Sequence, residues 1–264
     1  MAIDIAITLP QPNINMSHQL FISGGCSGSF THSTYSHQSW PVHVAQLLGC
    51  EHQDVAFPAQ GNGMISRRVI YSVEQALKST AAEDIIVGIF WSDMNRYEFY
   101  NDQNVADCVD QFHWGNPTSI KPYNPSVPQQ DKNWVLLSPH YIKDYAKMHY
   151  QMFHNYIDSQ IKTYEHVLRT QWYLENIKIK YFMGTYNQNT FNKDFVNHPE
   201  VAWLHRQVNW DTLIPIVGML EWGNEQTDPN LKFNSDDLFH LNTSQSKALT
   251  DQVIWPFLKE KHYV

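Results

Sequence analysis

Two stretches of this sequence concentrate residues that could do chemistry. The first is Ser23–His32, SGGCSGSFTH, which follows the apolar run Leu20-Phe21-Ile22; the second, far downstream, is Ser235–Leu249, SDDLFHLNTSQSKAL. A turn this rich in glycine and serine is open to three readings: a phosphate cradle, a nucleophile turn or a tight loop. A P-loop carries a lysine as point charge for the phosphates. No Lys or Arg lies between Ser23 and Tyr35, and glycines at 24, 25 and 28 miss the Gly-x-Gly-x-x-Gly spacing of dinucleotide sites. A serine just past a strand and before a helix has its backbone N–H near the positive end of that helix, where an oxyanion can be held. Its hydroxyl is a weak nucleophile alone and needs a base, ideally a histidine oriented by a carboxylate. Asp237 and His240 have a suitable spacing, because a carboxylate three residues before an imidazole can fold back onto it. The spacing alone is weak, since Asp110 and His113 repeat it and the chain holds 14 histidines. Position favours Asp237 and His240, in a loop after the last strand region and just before the terminal helix. Asp236 adjoins Asp237 and leaves the choice of carboxylate open. Cys26 is a rival nucleophile, because a thiol at a helix N-terminus is activated.

The elements that must position these groups follow from periodicity. Gln19–Ser23 is predicted as a strand. In SHQSWPVHVAQLLGC, Trp40, Val44, Leu47 and Leu48 form a helical stripe, with Ser39 as N-cap, Pro41 in the first turn and Gly49 as stop. Asp54–Phe57 is predicted as a second strand and leads into the loop PAQGNG. Ile65, Val69, Val73 and Leu77 keep helical spacing. Asp84–Trp91, DIIVGIFW, is the continuous apolar run of a strand buried on both faces. Strand, helix, strand, helix, strand implies α/β layers around a parallel sheet.

From Asp93 to about His140 no period is sustained, and a stretch this long within one domain is expected to be an insertion that lines or covers a site. Helix is predicted again from Tyr141 to Glu175, with Phe153, Ile157, Ile161, Tyr164, Leu168 and Trp172 on one stripe. Ile177–Gly184 is a further strand. Leu213–Leu220 is either a fifth strand or a helix end, and the terminal helix on Leu249 and Val253 must end or kink at Pro256.

Composition narrows the function classes. With 264 residues, 42% hydrophobic and 17% charged, the chain is expected to be one globular domain with an insertion at about 93–140. A net charge of −8, with no basic cluster larger than Arg67-Arg68, argues against nucleic acid as partner. The sequence holds 3 cysteines, too few for a disulfide framework, so a reducing compartment fits better. The first residues lack the basic start and apolar core of a signal peptide, and no window reaches the roughly 18 consecutive apolar residues of a membrane span. A cytoplasmic protein that does not enter membranes is therefore expected. No His-Glu-x-x-His or Cys-x-x-Cys motif is present, so neither a metal nor another cofactor is expected. The 9 Trp, 14 Tyr and 13 Phe suit a core first and a carbohydrate surface second.

Taken together, the strand followed by Gly-Cys-Ser, the small-residue loop after strand two, the polar block after strand three and the late Asp-x-x-His resemble the SGNH (GDSL-type) hydrolases. More narrowly, GGCSGSFTH, SWPVHVAQLLG, AFPAQGNGMISRRVI and IIVGIFWSDMNR resemble a branch with Gly-Cys-Ser in the first motif, found in bacterial and phage sequences. The resemblance runs from Gln19 to about Leu258. It implies a three-layer α/β/α sandwich around a parallel sheet of about five strands, the flavodoxin-like fold of that family. It also implies ester hydrolysis through an acyl-serine.

Carried across, Ser27 matches the nucleophile, His240 the base and Asp237 its orienting carboxylate, while Cys26 becomes a small buried residue beneath the site. The oxyanion hole would draw on the N–H of Ser27, that of Ala59 or Gly61, and a side chain from the third block. The sequence departs from the family at that third block. In place of Gly-x-Asn-Asp it offers Ser92 before Asp93, or Asn95. The substrate implied is a small or carbohydrate ester, with acetyl favoured over long acyl chains. An acyltransferase built on the same acyl-serine is the alternative enzyme. A catalytically inactive glycan-binding or structural protein, virion-associated if of phage origin, is the alternative outside enzymes.

Overall fold

The computed structural model describes residues 19–30, 39–100, 134–137, 144–228, 231 and 240–264. At its centre lies a parallel sheet of four strands: β1 (Leu20–Gly24), β2 (Glu51–Asp54), β3 (Ile85–Trp91) and β6 (Lys180–Thr185), in the order β2-β1-β3-β6. Every residue of β1 and β3 is buried, which explains why both are continuous apolar runs. Alternate side chains then sort into two cores. Ile85, Val87, Ile89 and Trp91 face α2 (Asn62–Ala76) and α4 (Tyr156–Asn176) through Ile65, Val69, Val73, Val167 and Leu168. Phe21, Ile86, Phe90 and Phe182 face α1 (Trp40–Leu48), α7 (Thr243–Leu249) and α8 (Trp255–Glu260). The fold is thus the expected three-layer α/β/α sandwich, with strands in the flavodoxin-like order.

On the second face, glycines and rings pair reciprocally. In the β3–β6 ladder Gly88 stands opposite Phe182, and Phe90 opposite Gly184. A Cβ on Gly88 would lie 2.5 Å from Phe182 Cζ, and one on Gly184 would lie 2.7 Å from Phe90 Cζ. Each ring therefore lies across the bare backbone of its neighbour. Trp40 covers the slab, its ring centroid 4.5 Å from that of Phe90.

Several expectations need correction. The second strand is Glu51–Asp54 rather than Asp54–Phe57. It is a sheet edge, so polar side chains are tolerated in the ladder, while the apolar Val55 and Ala56 lie beyond it and are buried in the loop. The aperiodic segment contains regular structure, because β4 (Tyr97–Tyr100) pairs antiparallel with β5 (Trp134–Leu137). The long helix over 141–175 is two helices, α3 (Asp144–Met152) and α4. Asn155 interrupts it by capping α4, its side-chain oxygen accepting the N–H groups of Ile157 and Asp158 at 2.8 and 3.2 Å. Of the residues on the expected stripe, Phe153 and Trp172 are 67% and 51% exposed. Finally, Leu213 makes only an isolated parallel bridge to Met183 where a fifth strand was possible. Pro215 has no N–H to continue a ladder, and the chain passes through α5 (Pro199–His205) before the bridge and α6 (Met219–Asn224) after it.

At the C-terminus a π turn, Thr250–Ile254, takes up the break imposed by Pro256, which sits in the first turn of α8. Among the described residues no helix is long and apolar enough to cross a membrane.

Candidate active site

The chain leaves β1 towards α1 on one face and leaves β3 towards α4 on the other. The carboxyl ends of these adjacent strands are therefore a topological switch point, the place where open α/β sheets bind ligands. The loops that meet there are 25–30 after β1, 55–61 after β2, 92–96 after β3 and the segment after β6.

The first loop distinguishes among its serines. Ser23 is buried, with Oγ 2.8 Å from His52 Nε2 and donating to Asp54 Oδ1 at 3.2 Å. Burial lowers the pKa of His52 to about 4 and keeps its ring neutral. Ser29 is buried too: its Oγ accepts the Trp40 indole N–H at 3.0 Å, and its carbonyl accepts Ser39 Oγ at 3.1 Å. Ser39 thus precedes α1 without capping it through its side chain. Ser27 is half-buried and its hydroxyl takes no part in this network. Cys26 is buried in the apolar layer beneath. The turn itself is closed by the Ser29 N–H on the Cys26 carbonyl at 3.0 Å. It requires glycine at 25, where φ is 156° and a Cβ would lie 2.3 Å from Ser29 Oγ.

The second loop is tied to the first by the Phe57 N–H, which donates to the Gly25 carbonyl at 3.2 Å. Its turn has Pro58 and Ala59 in the central positions and the Gln60 N–H on the Phe57 carbonyl at 3.3 Å. Ala59 has φ 63°, the left-handed backbone that a type II turn demands at its third position. Gly61 is different. It is extended, precedes α2, and a Cβ there would lie 1.9 Å from Glu98 Oε2. Glu98 reaches from β4 onto the N-terminus of α2, where it accepts the Met64 N–H. Desolvation raises its pKa to about 7, although Arg67, the Met64 N–H and Arg169 pull the other way.

In the third loop Ser92 is fully buried. Its N–H donates to Asn62 Oδ1 at 2.7 Å, and its carbonyl accepts Asn62 Nδ2 at 3.1 Å. Asn62 also reaches Thr163 on α4 at 3.1 Å, so one amide fixes β3, α2 and α4 together. The Asn95 amide is turned to His154 Nε2 at 3.1 Å. Arg96 swings back towards the first two loops, its Nη1 donating to the Gln60 carbonyl at 3.4 Å. The sequence reading missed Asn62, Arg96 and Glu98. Glycines at 61 and 63, packed against Glu98, were the available signal for one of them.

His240 is half-buried, two residues before the capping box with which Asn242 and Gln245 open α7. Its neighbour Leu241 packs in the same apolar layer as Cys26. Asp237, with Asp236, lies outside the described residues, as do Asp110 and His113. On the other side of the third loop is a cavity of about 630 Å³, lined by Asn95, Arg96, Glu98, His149, His154 and His166 among others. Among the described residues no cluster of His, Cys, Asp and Glu could hold a metal ion.

No family model and no curated protein matches the sequence. Among solved structures, the crystal structure of TesA is similar to this chain at 10% identity with a TM-score of 0.47, over 92% of this chain and 99% of that one.

Proposed function

We propose that this chain is a serine ester hydrolase of the SGNH (GDSL-type) kind, with Ser27 as nucleophile, His240 as base and Asp237 orienting His240. The observation that carries the reading is the division of labour in the first loop. Ser23 and Ser29 are tied into the fold, and Ser27, at the carboxyl end of β1 beside the switch point, is not.

In the proposed reaction Ser27 Oγ attacks the ester carbonyl carbon as His240 takes its proton, and the carbonyl electron pair moves onto oxygen. Collapse of this intermediate expels the alkoxide, which receives the proton from His240 and leaves acyl-Ser27. Water then gives a proton to His240 and attacks the acyl carbon, and collapse returns the proton to Ser27 and releases the acid. The N–H groups of Ser27 and Ala59 hold the oxyanion. Ala59 is preferred to Gly61 because Gly61 backs onto Glu98. Small acyl groups such as acetyl, carried on a carbohydrate or another small alcohol, are the proposed substrates.

The test is labelling with a fluorophosphonate probe alongside hydrolysis of p-nitrophenyl acetate. Wild type is expected to label at Ser27 and to hydrolyse the ester. Ser27→Ala should lose at least about 10³-fold in kcat/KM while melting as the wild type does. Folded wild type that does not label at Ser27 removes the serine-enzyme reading and leaves the inactive glycan-binding protein. Labelling without hydrolysis, with release of p-nitrophenol and acylation of the sugar once a sugar acceptor is added, makes the protein an acyltransferase.

A further inference from the structure

The third loop brings a cation towards the turn that holds Ser27. Ser92 is sealed in the core and Asn95 faces His154, so neither offers a substrate oxygen an accessible donor at the turn. Arg96 is placed differently. One of its five N–H groups reaches the carbonyl of Gln60, the residue after Ala59. Its guanidinium carbon stands 5.3 Å from the centre of the Tyr186 ring. The edge of that ring, Cδ2, is 3.2 Å from where a Cβ on Gly28 would sit, and Gly28 follows Ser27. Arg96 therefore spans from the Ala59 turn to the ring that backs the residue after the nucleophile.

Asp93, the carboxylate that acts on the charge of Arg96, makes its hydrogen bonds elsewhere. Asp93 accepts the Asn95 N–H on one oxygen and the amides of Asn187 and Asn189, at 2.9 and 3.3 Å, on the other. Desolvation opposes the charged guanidinium, but the Cys26 side chain, which it hydrogen-bonds, favours it together with Tyr186 and Asp93, and a guanidinium is a cation at any working pH.

We infer that Arg96 supplies the third-block contribution to the oxyanion site, donating charged N–H groups to the tetrahedral intermediate on Ser27 where the family pattern has a neutral amide. The inference rests on the serine-hydrolase reading above. Charge-assisted hydrogen bonds are about twice as strong as neutral ones, so the substitution suits an intermediate that carries a full negative charge.

Steady-state kinetics on p-nitrophenyl acetate test it, using the wild type, Arg96→Gln and Arg96→Lys, with inhibition by a small alkyl boronic acid, whose serine adduct is a tetrahedral anion. Arg96→Gln should lower kcat by about 10²-fold or more with KM changed less than about threefold, and should weaken boronic-acid inhibition by a similar factor. Arg96→Lys should fall between, because an ammonium keeps the charge without the planar fork. Wild-type kcat in Arg96→Gln overturns the inference. So does a loss confined to KM for an anionic ester such as a succinate monoester, which would make Arg96 a carboxylate anchor. Should Arg96→Gln fail to fold, Arg96→Lys decides: a tenfold or greater fall in kcat at constant KM supports the role, and unchanged kcat refutes it. If the wild type itself neither labels nor hydrolyses, it is the serine reading that has failed.

Discussion

Ala59 holds a conformation that alanine adopts at a cost. At φ 63° its Cβ is crowded by the carbonyl, a penalty of roughly 1–2 kcal/mol that glycine does not incur. Ala59→Gly also loosens the unfolded chain, so the net expectation is a change between neutral and about 1 kcal/mol of added stability, opposite in sign to the usual Ala→Gly result. Thermal denaturation measures it, and a loss above about 1 kcal/mol would contradict the assigned backbone. If the Ala59 N–H holds the oxyanion, this variant should keep its esterase activity, since only the side chain changes. At this scale the sequence was informative where a residue announces its own geometry. Gly25, Pro58 and Gly49 do so through φ. Arg96 does not, because nothing local says that a side chain in an aperiodic stretch will turn back towards a loop more than thirty residues earlier.

The junction between the β4–β5 hairpin and α2 brings together groups whose protonation opposes one another. Glu98, with a folded pKa of about 7 against an ordinary 4.5, keeps a proton that the unfolded chain has released between those values. Its contribution therefore falls as pH rises through that window. His166 beside it, and His52 on β2, are both lowered from 6.5 to about 4 by burial, with Arg169, Arg67 and Lys162 adding to the effect at His166. The unfolded chain binds protons there that the native state refuses, so stability falls as pH drops from 6.5 towards 4. Melting curves between pH 7.5 and 5 should show Glu98→Gln losing more stability on acidification than the wild type, and His166→Gln losing less. The expected differences are on the order of 1 kcal/mol per pH unit, and identical slopes in all three proteins would refute the assignment. The elements themselves were legible wherever one face repeats, as in α2 and β3. The hairpin was not, because its two strands are short and far apart in sequence. The break at Asn155 was hidden inside a stripe that continued on either side of it.

For the molecule as a whole, the α/β layering was legible because buried parallel strands leave long apolar runs. Its partition into two cores was not, since alternation within such a run does not say which helix covers which face. The reciprocal glycines and rings of β3 and β6 lie in one of those two cores, beneath Trp40. Gly88→Ala should destabilise by about 1–3 kcal/mol through overpacking, and Phe182→Ala by about 3–5 kcal/mol through the cavity it leaves. The double variant should cost at least about 1 kcal/mol less than the sum, because the added methyl occupies space the ring vacates. Additivity would show that the two positions do not share that space. The same arrangement constrains divergence. Positions 88 and 182, and likewise 90 and 184, form two joint characters in the inheritance of this fold. A side chain gained on one strand survives only in lineages whose partner strand has already given up its ring, so the order of substitutions is set before any selection on the active site.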